Sequence, residues 1–380
     1  MALKWRERLL YGYLRWLHRH PRATILPPAK SVQRVLILSN TALGDSLMSL
    51  PAVHSLRLAY PHAELVWVGH PAYAALLAAC PWVDRWISYA GRWRGWCHTI
   101  RQLRALGKID VAAILHSNEP QATPLAILAG AAYVVKLPNT SSFAFLLANA
   151  QPRQDWDSFS HGVMQRLAVA RLAGGIPVAA RLDLPITTSA HLEAVTWCRA
   201  QGISDSAPIL LFQLGASTRS RRWPLTAFIT LAQQLLVQYP DLHLVASGSV
   251  DEQVLITPFI AAVNSSRCHS SAGSLSLPAV AALLQRARGL VSGDTGTLHL
   301  AIAVGSATVG LFAVSQAQRS GAAQDQHRHW VIQKGRTCTP CLSKRCTYAE
   351  PPCMAAIDVK EVYAACVALL AGEEAWQSGC

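Results

Sequence analysis

The sequence predicts an α/β protein made of two Rossmann-like halves, each with an open parallel sheet. The chain has 380 residues, which is too long for one ordinary core and comfortable for two domains. Hydrophobic residues make up 51% of it and charged residues only 14%, as is typical of a well-buried globular protein. Strand-like and helix-like runs also alternate along the chain in two series, and such alternation favours parallel sheets.

The first series of predicted elements begins at Arg34. It comprises, in order, the strand "RVLILS", the helix "SLMSLPAVHSLRLAYP" with a kink or restart at Pro51, the strand "ELVWVG", the helix "AYAALLAAC", and the strands "VAAILH" and "AYVVKL". The alternation pauses around "RLDLPITTSA" (181–190), and a helix then runs to Gln201. We therefore predict a linker near residue 185.

The second series comprises the strand "ILLFQLG", the helix "TAFITLAQQLLVQYP", the strand "LHLVASG", the helix "SLPAVAALLQRA", the strand "GLVSG", the helix "TLHLAIAVG" and the strand "ATVGLFA". We accordingly divide the chain into an N-terminal extension and linker (1–30), an N-terminal domain (31–188) and a C-terminal domain (189–380). Ligands of such sheets bind beyond the carboxyl ends of the strands. The expected site is therefore a central cleft that the two halves face.

The N-terminal segment "MALKWRERLLYGYLRWLHRHPR" (1–22) combines six Lys and Arg with one Glu. Leu3, Leu10, Leu14 and Leu17 recur at spacings compatible with one face of a helix. Two interpretations stay open: a helix docked on its own protein, or a basic amphipathic helix lying on an anionic membrane surface. No secretory signal or membrane span is evident in the sequence, which favours a cytoplasmic location.

The formal net charge of +13 indicates an anionic partner. Nucleic acid, anionic lipid and a phosphorylated small molecule would all satisfy it, and charge alone does not choose among them. The choice depends on the residues at the strand ends.

The loop after the first predicted strand, "SNTALGDS" (39–46), contains Thr41, Gly44 and Asp45. Gly44 permits a tight turn, and Asp45 stands at the start of a helix. A carboxylate there either caps the helix or, at the mouth of a cleft, takes a proton from a hydroxyl.

In the loop after the first strand of the second half, "GASTRSRRWP" (215–224), Ser217 and Thr218 offer hydroxyls, and three cations follow at Arg219, Arg221 and Arg222. A solvated basic face would explain the arginines alone. A phosphate-binding loop explains the glycine and the hydroxyls as well, since arginine pairs bidentately with phosphate oxygens.

A third loop lies in "SGDTGTLHLA" (292–301), between a predicted strand and a predicted helix. Its small residues let backbone N–H groups approach an anion, and the helix dipole adds to that attraction. Asp294 fits beside a phosphate only if it accepts hydrogen bonds from a hydroxyl or from backbone amides. His299, one turn into the helix, either faces the same cleft or is a core histidine.

The stretches "VLILSNTALGDSLMSLPAVHSLRLAYPHAEL", "RRWP" and "LVSGDTGTLHLAIAVGSATVGLFA" resemble, in order and spacing, the lipopolysaccharide heptosyltransferases of glycosyltransferase family 9. The resemblance runs from about Val35 to Val362. It implies a GT-B fold, in which two Rossmann-like domains face a central cleft. It also implies transfer of heptose from ADP-heptose to the inner core of lipopolysaccharide, with inversion at the anomeric carbon and without a metal or other cofactor.

The resemblance assigns roles to individual residues. Asp45 matches the family's general base, with Thr41 and Gly44 on the acceptor side, and Arg221 stands where the family usually has a Lys two residues before Trp-Pro. Either Asp251 or Glu252 falls where an acidic residue contacts the donor's ribose, and we favour Glu252. The implied donor-binding residues are Ser217, Thr218, Arg219, Glu252, Asp294, Thr295, Gly296 and His299.

The sequence departs from the family pattern at three places. Arg replaces Lys at position 221, "LFAVSQ" lacks the usual Gly-Pro after its strand, and "HSNEPQATPLAILAGA" replaces a more basic stretch. The last departure bears on the identity of the acceptor.

A C-x2-C-x4-C-x6-C cluster occupies residues 338–353, with its thiols at Cys338, Cys341, Cys346 and Cys353. Four thiolates at such spacings are compatible with a structural zinc or iron site. The other interpretation is that these are structural cysteines, either free or linked by disulfides. Many members of the resembled family have a similar cysteine-rich segment, and their catalysis does not need a metal.

The leading hypothesis is a glycosyltransferase on the cytoplasmic face of the inner membrane. Its expected partners are a nucleotide-sugar donor, a lipid-linked anionic oligosaccharide and the membrane surface, but no nucleic acid. One alternative is a GT-B enzyme with a different nucleotide sugar. Another is a non-catalytic basic binder of anionic polymers, whose affinity would fall steeply with salt. The cations cluster beside small residues at strand ends, which favours a site for a discrete phosphate.

Overall fold

The computed structural model describes residues 4–18 and 25–376. The chain divides into two compact units, unit 1 (Met1–Arg181) and unit 2 (Leu182–Cys380). This division precedes the boundary that we placed after residue 188, because the intervening residues already bond to unit 2. The backbone N–H of Leu182 donates to the side chain of Gln324, and that of Leu184 donates to the carbonyl of Ala303 at 3.1 Å.

Unit 1 is built on a five-stranded parallel sheet with the order β3–β2–β1–β4–β5. The strands are β1 (Arg34–Ser39), β2 (Glu64–Gly69), β3 (Arg85–Ser88), β4 (Ile109–His116) and β5 (Ala131–Lys136). We did not predict β3, which lies at the sheet edge and buries one of its four residues. The strand order reverses between β1 and β4, so the loops beyond these two strands lie at the point where such sheets bind ligands.

The helices of unit 1 are α1 (Trp5–Leu17), α2 (Leu43–Leu47), α3 (Leu50–Ala59), α4 (Ala74–Leu77), α5 (Trp96–Ala105), α6 (Ala122–Leu128) and α7 (Gly162–Leu172). The predicted restart is confirmed, since Pro51 lies in the first turn of α3. Helix α4 is shorter than predicted. Pro81 disfavours a helical conformation at the preceding Cys80, and the chain turns there instead.

Helix α1 is docked on unit 1 through one of its faces. Leu14 is fully buried, and the ring of Tyr11 packs edge-on against Phe143 and Phe145 at centroid distances of 5.7 and 5.4 Å. The opposite face stays in solvent, with Trp5, Leu9, Tyr13 and Trp16 67%, 66%, 50% and 60% exposed. Leu3 and the remainder of the predicted segment (1–3 and 19–22) lie outside the described residues. The helix is therefore apolar on both faces, and only one of them is covered in unit 1.

Unit 2 is built on a six-stranded parallel sheet with the order β11–β10–β9–β6–β7–β8. The strands are β6 (Ile209–Gln213), β7 (His243–Ser247), β8 (Cys268–Ser270), β9 (Gly289–Gly293), β10 (Thr308–Phe312) and β11 (His329–Gln333). We did not predict β8 and β11, the two edge strands. The order reverses between β6 and β9, which are the strands that precede two of the predicted ligand loops.

The helices of unit 2 are α8 (Thr188–Ala200), α9 (Leu225–Gln238), α10 (Gln253–Val263), α11 (Leu277–Arg286), α12 (Gly296–Ala303), α13 (Ala317–Ser320), α14 (Pro352–Ala355) and α15 (Val359–Ala371). Helices α9, α10 and α15 cover one face of the sheet through a large apolar cluster that includes Phe228, Phe259 and Leu369. Within residues 4–18 and 25–376, no helix has the length and apolar composition that a bilayer crossing requires.

The buried His329 makes the stability of unit 2 dependent on pH. Its Nδ1 lies 3.0 Å from Thr308 Oγ1, and burial, aided by the charge of Arg328, lowers the pKa of His329 from 6.5 to about 4. Between these two values the unfolded chain binds a proton that the folded chain does not. We therefore expect the free energy of unfolding to fall by up to about 3 kcal/mol as the pH drops from 6.5 to 4.

Urea unfolding at several pH values between 7.5 and 4 measures this effect. The variant His329→Asn retains a polar partner for Thr308 but does not titrate, so its stability should vary less over the same range. An equal pH dependence in the variant and the wild type would assign the loss to other groups.

Candidate active site

The carboxylate of Asp45 lies in the first turn of α2, beyond the end of β1. Its Oδ1 accepts a hydrogen bond from Arg166 Nη2 at 2.9 Å, and its Oδ2 accepts one from Thr41 Oγ1 at 3.0 Å. His116 Nδ1, at the end of β4, lies 2.7 Å from Thr41 Oγ1 and 3.6 Å from Asp45 Oδ2. The Asp45 side chain remains 31% exposed, so the carboxylate is held in place and still accessible.

The interpretation of Asp45 as a helix cap is wrong. The residue at the cap position of α2 is Ala42, which makes no side-chain capping bond. Thr41 contacts Asp45 through its hydroxyl, as described above, whereas Gly44 is buried within α2 and offers only its backbone. The geometry thus favours the chemical interpretation of the Asp45 carboxylate.

Arg166 is a partner of Asp45 that we did not predict from the sequence. It lies on α7, its side chain is 2% exposed, and its Nη1 donates to the carbonyl of Gly162 at 3.0 Å. Burial lowers the pKa of Arg166, while the charge of Asp45 opposes that shift. Charged side chains are rarely buried without a partner. An arginine within the apolar run "VMQRLAVA" was therefore a usable signal for a buried ion pair.

Two aromatic side chains lie near Asp45 and His116. Burial raises the pKa of Tyr73, and the nearby charge of Asp45 raises it further, although a bond to the Leu43 backbone opposes both. The ring of Trp156 lies 5.6 Å from that of His116 and is 46% exposed. Neither residue was predicted, because both lie in short 3-10 helices, Pro71–Tyr73 and Trp156–Ser158, outside the three loops that the sequence singled out.

In unit 2, two predicted loops meet beyond the adjacent strands β6 and β9. Arg221 Nη1 lies 3.4 Å from Asp294 Oδ2, and His299 Nε2 lies 3.6 Å from Asp294 Oδ1. Burial would raise the pKa of Asp294, but its contacts with His299, the charge of Arg221 and the hydroxyl of Ser315 outweigh burial and lower it. Asp294 is therefore a buried anion that orients a cation and an imidazole.

The start of α12 adds backbone donors to this group. Thr295 caps the helix, since its hydroxyl accepts a hydrogen bond from the N–H of Leu298 at 3.3 Å, and Gly296 is the first helical residue. The early N–H groups of a helix have no partner within it and attract anions. A Cβ on Gly293 would lie 2.3 Å from the carbonyl oxygen of Arg221. This glycine therefore lets the loop of residues 215–224, which we call the arginine loop, approach the helix start.

Glu252 follows β7, the strand that lies on the opposite side of β6 from β9. Both of its carboxylate oxygens are 3.3 Å from Gln213 Nε2, and Gln213 Oε1 accepts from Thr297 Oγ1 at 2.9 Å. A Glu252 oxygen also accepts the backbone N–H of Ser249 at 2.9 Å, whereas Asp251 is exposed. Of the two candidate acids, Glu252 is thus the one tied to the loop beyond β6. Gln213, a polar residue that ends an apolar strand, was not predicted.

The remaining members of the arginine loop lie around this group. Ser217 and Arg219 are exposed, and Thr218 Oγ1 lies 3.2 Å from Ser220 Oγ. Arg222 donates twice to the carbonyl of Ala216, at 3.1 and 2.9 Å, and so holds the loop itself together.

The four cysteines of the 338–353 segment line one cavity of about 400 Å³, together with Ser220 of the arginine loop. Cys353 is buried and the other three are partly exposed, and all four are free thiols. In the part of the chain that the structure describes, no three His, Cys, Asp or Glu side chains are grouped so as to hold a metal ion. The cysteine segment therefore lies beside the arginine loop.

Comparisons with known proteins identify the family of this chain. The model of glycosyltransferase family 9 (heptosyltransferase) matches residues 112–350. Lipopolysaccharide heptosyltransferase 1 of Pseudomonas aeruginosa is 25% identical over 329 residues, which cover 83% of this chain and 88% of that protein.

Two solved structures share the fold over 90% of this chain, each at 21% sequence identity. One is a family 9 glycosyltransferase from Veillonella parvula, with a TM-score of 0.78 and 98% of its chain covered. The other is E. coli ADP-heptose LPS heptosyltransferase II, with a TM-score of 0.73 and 99% of its chain covered.

Two parallel α/β units with polar loops at their strand-order reversals, together with these structural matches, define a protein of the GT-B fold. More particularly, the chain belongs to glycosyltransferase family 9, the heptosyltransferase family. The fold and the family that we predicted are thus confirmed. The family model does not test the roles of individual residues, which stay predictions.

Proposed function

We propose that this enzyme transfers heptose from ADP-heptose to the inner core of lipopolysaccharide, with inversion at the anomeric carbon. Relatives named as lipopolysaccharide heptosyltransferases support the reaction. The observation that carries it is the group formed by Arg221, Asp294 and His299 at the start of α12. This group presents a cation and helix N–H donors together, as a sugar diphosphate requires.

In the proposed reaction, unit 1 supplies the acceptor side and unit 2 the donor side. A hydroxyl oxygen of the acceptor attacks the anomeric carbon of heptose as its proton passes to Asp45. The bond from that carbon to the diphosphate oxygen breaks, and ADP leaves with the bonding electrons. Negative charge grows on the diphosphate, where Arg221 and the N–H groups at the start of α12 stabilise it.

The partners of Asp45 suit the role of a general base. Arg166 and Thr41 each bond one carboxylate oxygen, which orients the group before the substrate arrives. On the donor side, Glu252 is the acceptor for the ribose hydroxyls, while Ser217, Thr218 and Arg219 contact the phosphates or the sugar. Glu252 suits this task because Gln213 and the Ser249 backbone fix its direction.

The decisive test is turnover with a panel of nucleotide sugars and with core-lipid acceptors of increasing length, with and without heptose. We expect ADP release that depends on both ADP-heptose and the acceptor, with Asp45→Asn as the matched inactive control. Release with another nucleotide sugar only would identify a GT-B enzyme with a different donor. No turnover with any donor would contradict the proposal.

We further place the enzyme on the cytoplasmic face of the inner membrane, bound through the outer face of α1. The exposed Trp5, Leu9, Tyr13 and Trp16 recur at helical spacing, and indole and phenol rings favour the membrane interface. Basic residues flank this stripe, namely Lys4, Arg6, Arg8 and Arg15. Such a combination is typical of helices that lie on anionic bilayers.

Replacing Trp5, Leu9 and Trp16 together by Ser should weaken binding to anionic vesicles by about tenfold or more, since each side chain loses its interfacial burial. Flotation with phosphatidylglycerol vesicles measures the effect, and binding of the wild type should also weaken with salt. These substitutions are preferable to truncation, because Leu14 belongs to the core of unit 1. Serines at the exposed Leu192, Val237 and Val254 provide the matched control, and equal loss in both variants would contradict a role for α1.

A further inference from the structure

Unit 1 contains a cavity of about 730 Å³ beyond the carboxyl ends of β4 and β5. His116, the last residue of β4, forms part of its wall and lies 3.6 Å from Asp45 Oδ2. The volume falls within the range of about 300–1,000 Å³ that is usual for small-molecule sites. The cavity thus adjoins the carboxylate to which we assign proton transfer.

Neutral hydrogen-bonding groups make up much of the cavity wall. They come from Ser117, Asn118, Gln121, Thr140, Ser141 and Ser142. Counting partners among residues 4–18 and 25–376, only the Ser141 side chain of these six makes a hydrogen bond, which it accepts from the N–H of Phe143 at 3.3 Å. The wall therefore offers a ligand several hydroxyl and amide groups that the described chain itself does not use.

The charges on the wall cancel. Lys136 Nζ lies 3.6 Å from Glu119 Oε1, and the two side chains are only 11% and 16% exposed. The other formally charged residues of the wall are Lys4 and Glu7, one of each sign. An anionic ligand would have to compete with Glu119 for Lys136, whereas the donor site of unit 2 is cationic. The composition of this wall thus favours a neutral ligand.

Trp156 stands at the rim of the cavity with its ring 46% exposed. Its plane is inclined at 55° to the ring of His116. A pyranose sugar has C–H groups on its faces and hydroxyls around its edge. An indole packs well against an apolar face, and a wall of amides and hydroxyls bonds a polar edge. Both features occur here on one cavity.

We infer that this cavity binds the terminal sugar of the acceptor, and that this sugar is a neutral, hydroxyl-rich pyranose. The inference rests on the proposed function, in which Asp45 activates an acceptor hydroxyl. Helix α1 contributes Lys4 and Glu7 to the wall while its Trp5 and Leu9 point to solvent. The anionic part of a lipid-linked acceptor is then left to the membrane and the basic residues of α1, and only the terminal sugar enters the cavity.

Saturation-transfer NMR with the full chain tests the inference with three probes: methyl α-mannopyranoside, methyl glucuronide and mannose 6-phosphate. We expect the neutral glycoside to bind most tightly. Trp156→Ala should weaken its binding by about fivefold, the scale of one aromatic contact. Trp376→Ala, which removes another exposed tryptophan, should leave the binding unchanged. Tighter binding of either anion, or no effect of Trp156→Ala, would overturn the inference.

The variant Glu119→Gln tests the charge argument separately. Glutamine keeps the oxygen that accepts from Thr123 but no longer neutralises Lys136. Binding of methyl glucuronide should therefore become several-fold tighter, while that of the neutral glycoside stays within about twofold. If methyl glucuronide binds no more tightly to this variant, the charge argument fails, because neutralisation of Lys136 by Glu119 would not be what disfavours an anionic ligand.

Turnover of ADP-heptose, measured beside glycoside binding, separates this inference from the proposed function, because the proposed donor site lies in unit 2. If ADP-heptose is consumed and Trp156→Ala does not raise the KM for acceptor, the cavity assignment fails and the function stands. If the neutral glycoside binds and Trp156→Ala abolishes that binding, yet no ADP-heptose is consumed, the function fails while the sugar site stands.

Discussion

The variant Asp45→Asn should reduce kcat by about 10²-fold or more, the scale of general base catalysis, and leave the affinity for ADP unchanged. Asparagine has nearly the same size and can still accept the hydrogen bond from Thr41, but it cannot take a proton at neutral pH. ADP affinity should survive because the residues that we assign to the diphosphate all belong to unit 2. Steady-state ADP release and calorimetry with ADP measure the two quantities.

The structure adds an effect on stability to this prediction. Arg166 is buried and Asp45 neutralises it, so asparagine leaves a buried cation without its counter-charge. Breaking such a pair destabilises proteins by about 3–5 kcal/mol in the least favourable cases. Thermal unfolding must therefore accompany the kinetics. Thr41→Val is the matched control, because it removes one bond to Asp45 but keeps the carboxylate, and we expect a smaller loss of kcat. A folded Asn variant with nearly normal kcat would show that Asp45 serves only to neutralise Arg166.

Local patterns predicted the parts of the fold and site that follow directly from strands. The apolar runs of β1, β6 and β9 are long enough to read as buried strands, and the residues after them are small or charged. In a parallel sheet these residues must lie at one edge. The observed strand orders also place these loops at the points where each order reverses.

The residues that the sequence did not reveal act across long separations. Arg166 and His116 reach the Asp45 loop from 121 and 75 residues further along the chain. Gln213 joins Glu252 to α12 only because β6 lies between them. Pairings of this kind depend on tertiary structure. The edge strands β3 and β8 were missed for another reason: they have four and three residues, too few for a clear apolar pattern.

The second large effect should come from Arg221→Ala. Its guanidinium is the cation that Asp294 orients at the start of α12, and the charge on the diphosphate grows as the glycosidic bond breaks. We expect kcat/KM to fall by about 10²- to 10³-fold, the scale of one preorganised donor in a transition state. The affinity for ADP should fall as well, because ADP carries in full the charge that develops on the diphosphate in the transition state.

Matched variants separate this catalytic role from a structural one. Arg221→Lys keeps the charge and should recover part of the rate, although lysine lacks the two-pronged geometry of arginine. Arg199→Ala removes an equal charge from an exposed ion pair on α8 and should alter neither quantity. His299→Ala should lower ADP affinity while retaining more of the rate, because the imidazole acts mainly by orienting Asp294.

If Arg221→Ala folds and both ADP affinity and kcat/KM stay normal, the buried Asp294 holds the arginine loop in place and the diphosphate binds elsewhere. Arg221→Lys and Arg221→Ala would then have the same ADP affinity and the same kcat/KM. Equal values in the two variants would assign the Arg221–Asp294 ion pair a structural role, whereas a higher rate in the Lys variant would assign it a catalytic one.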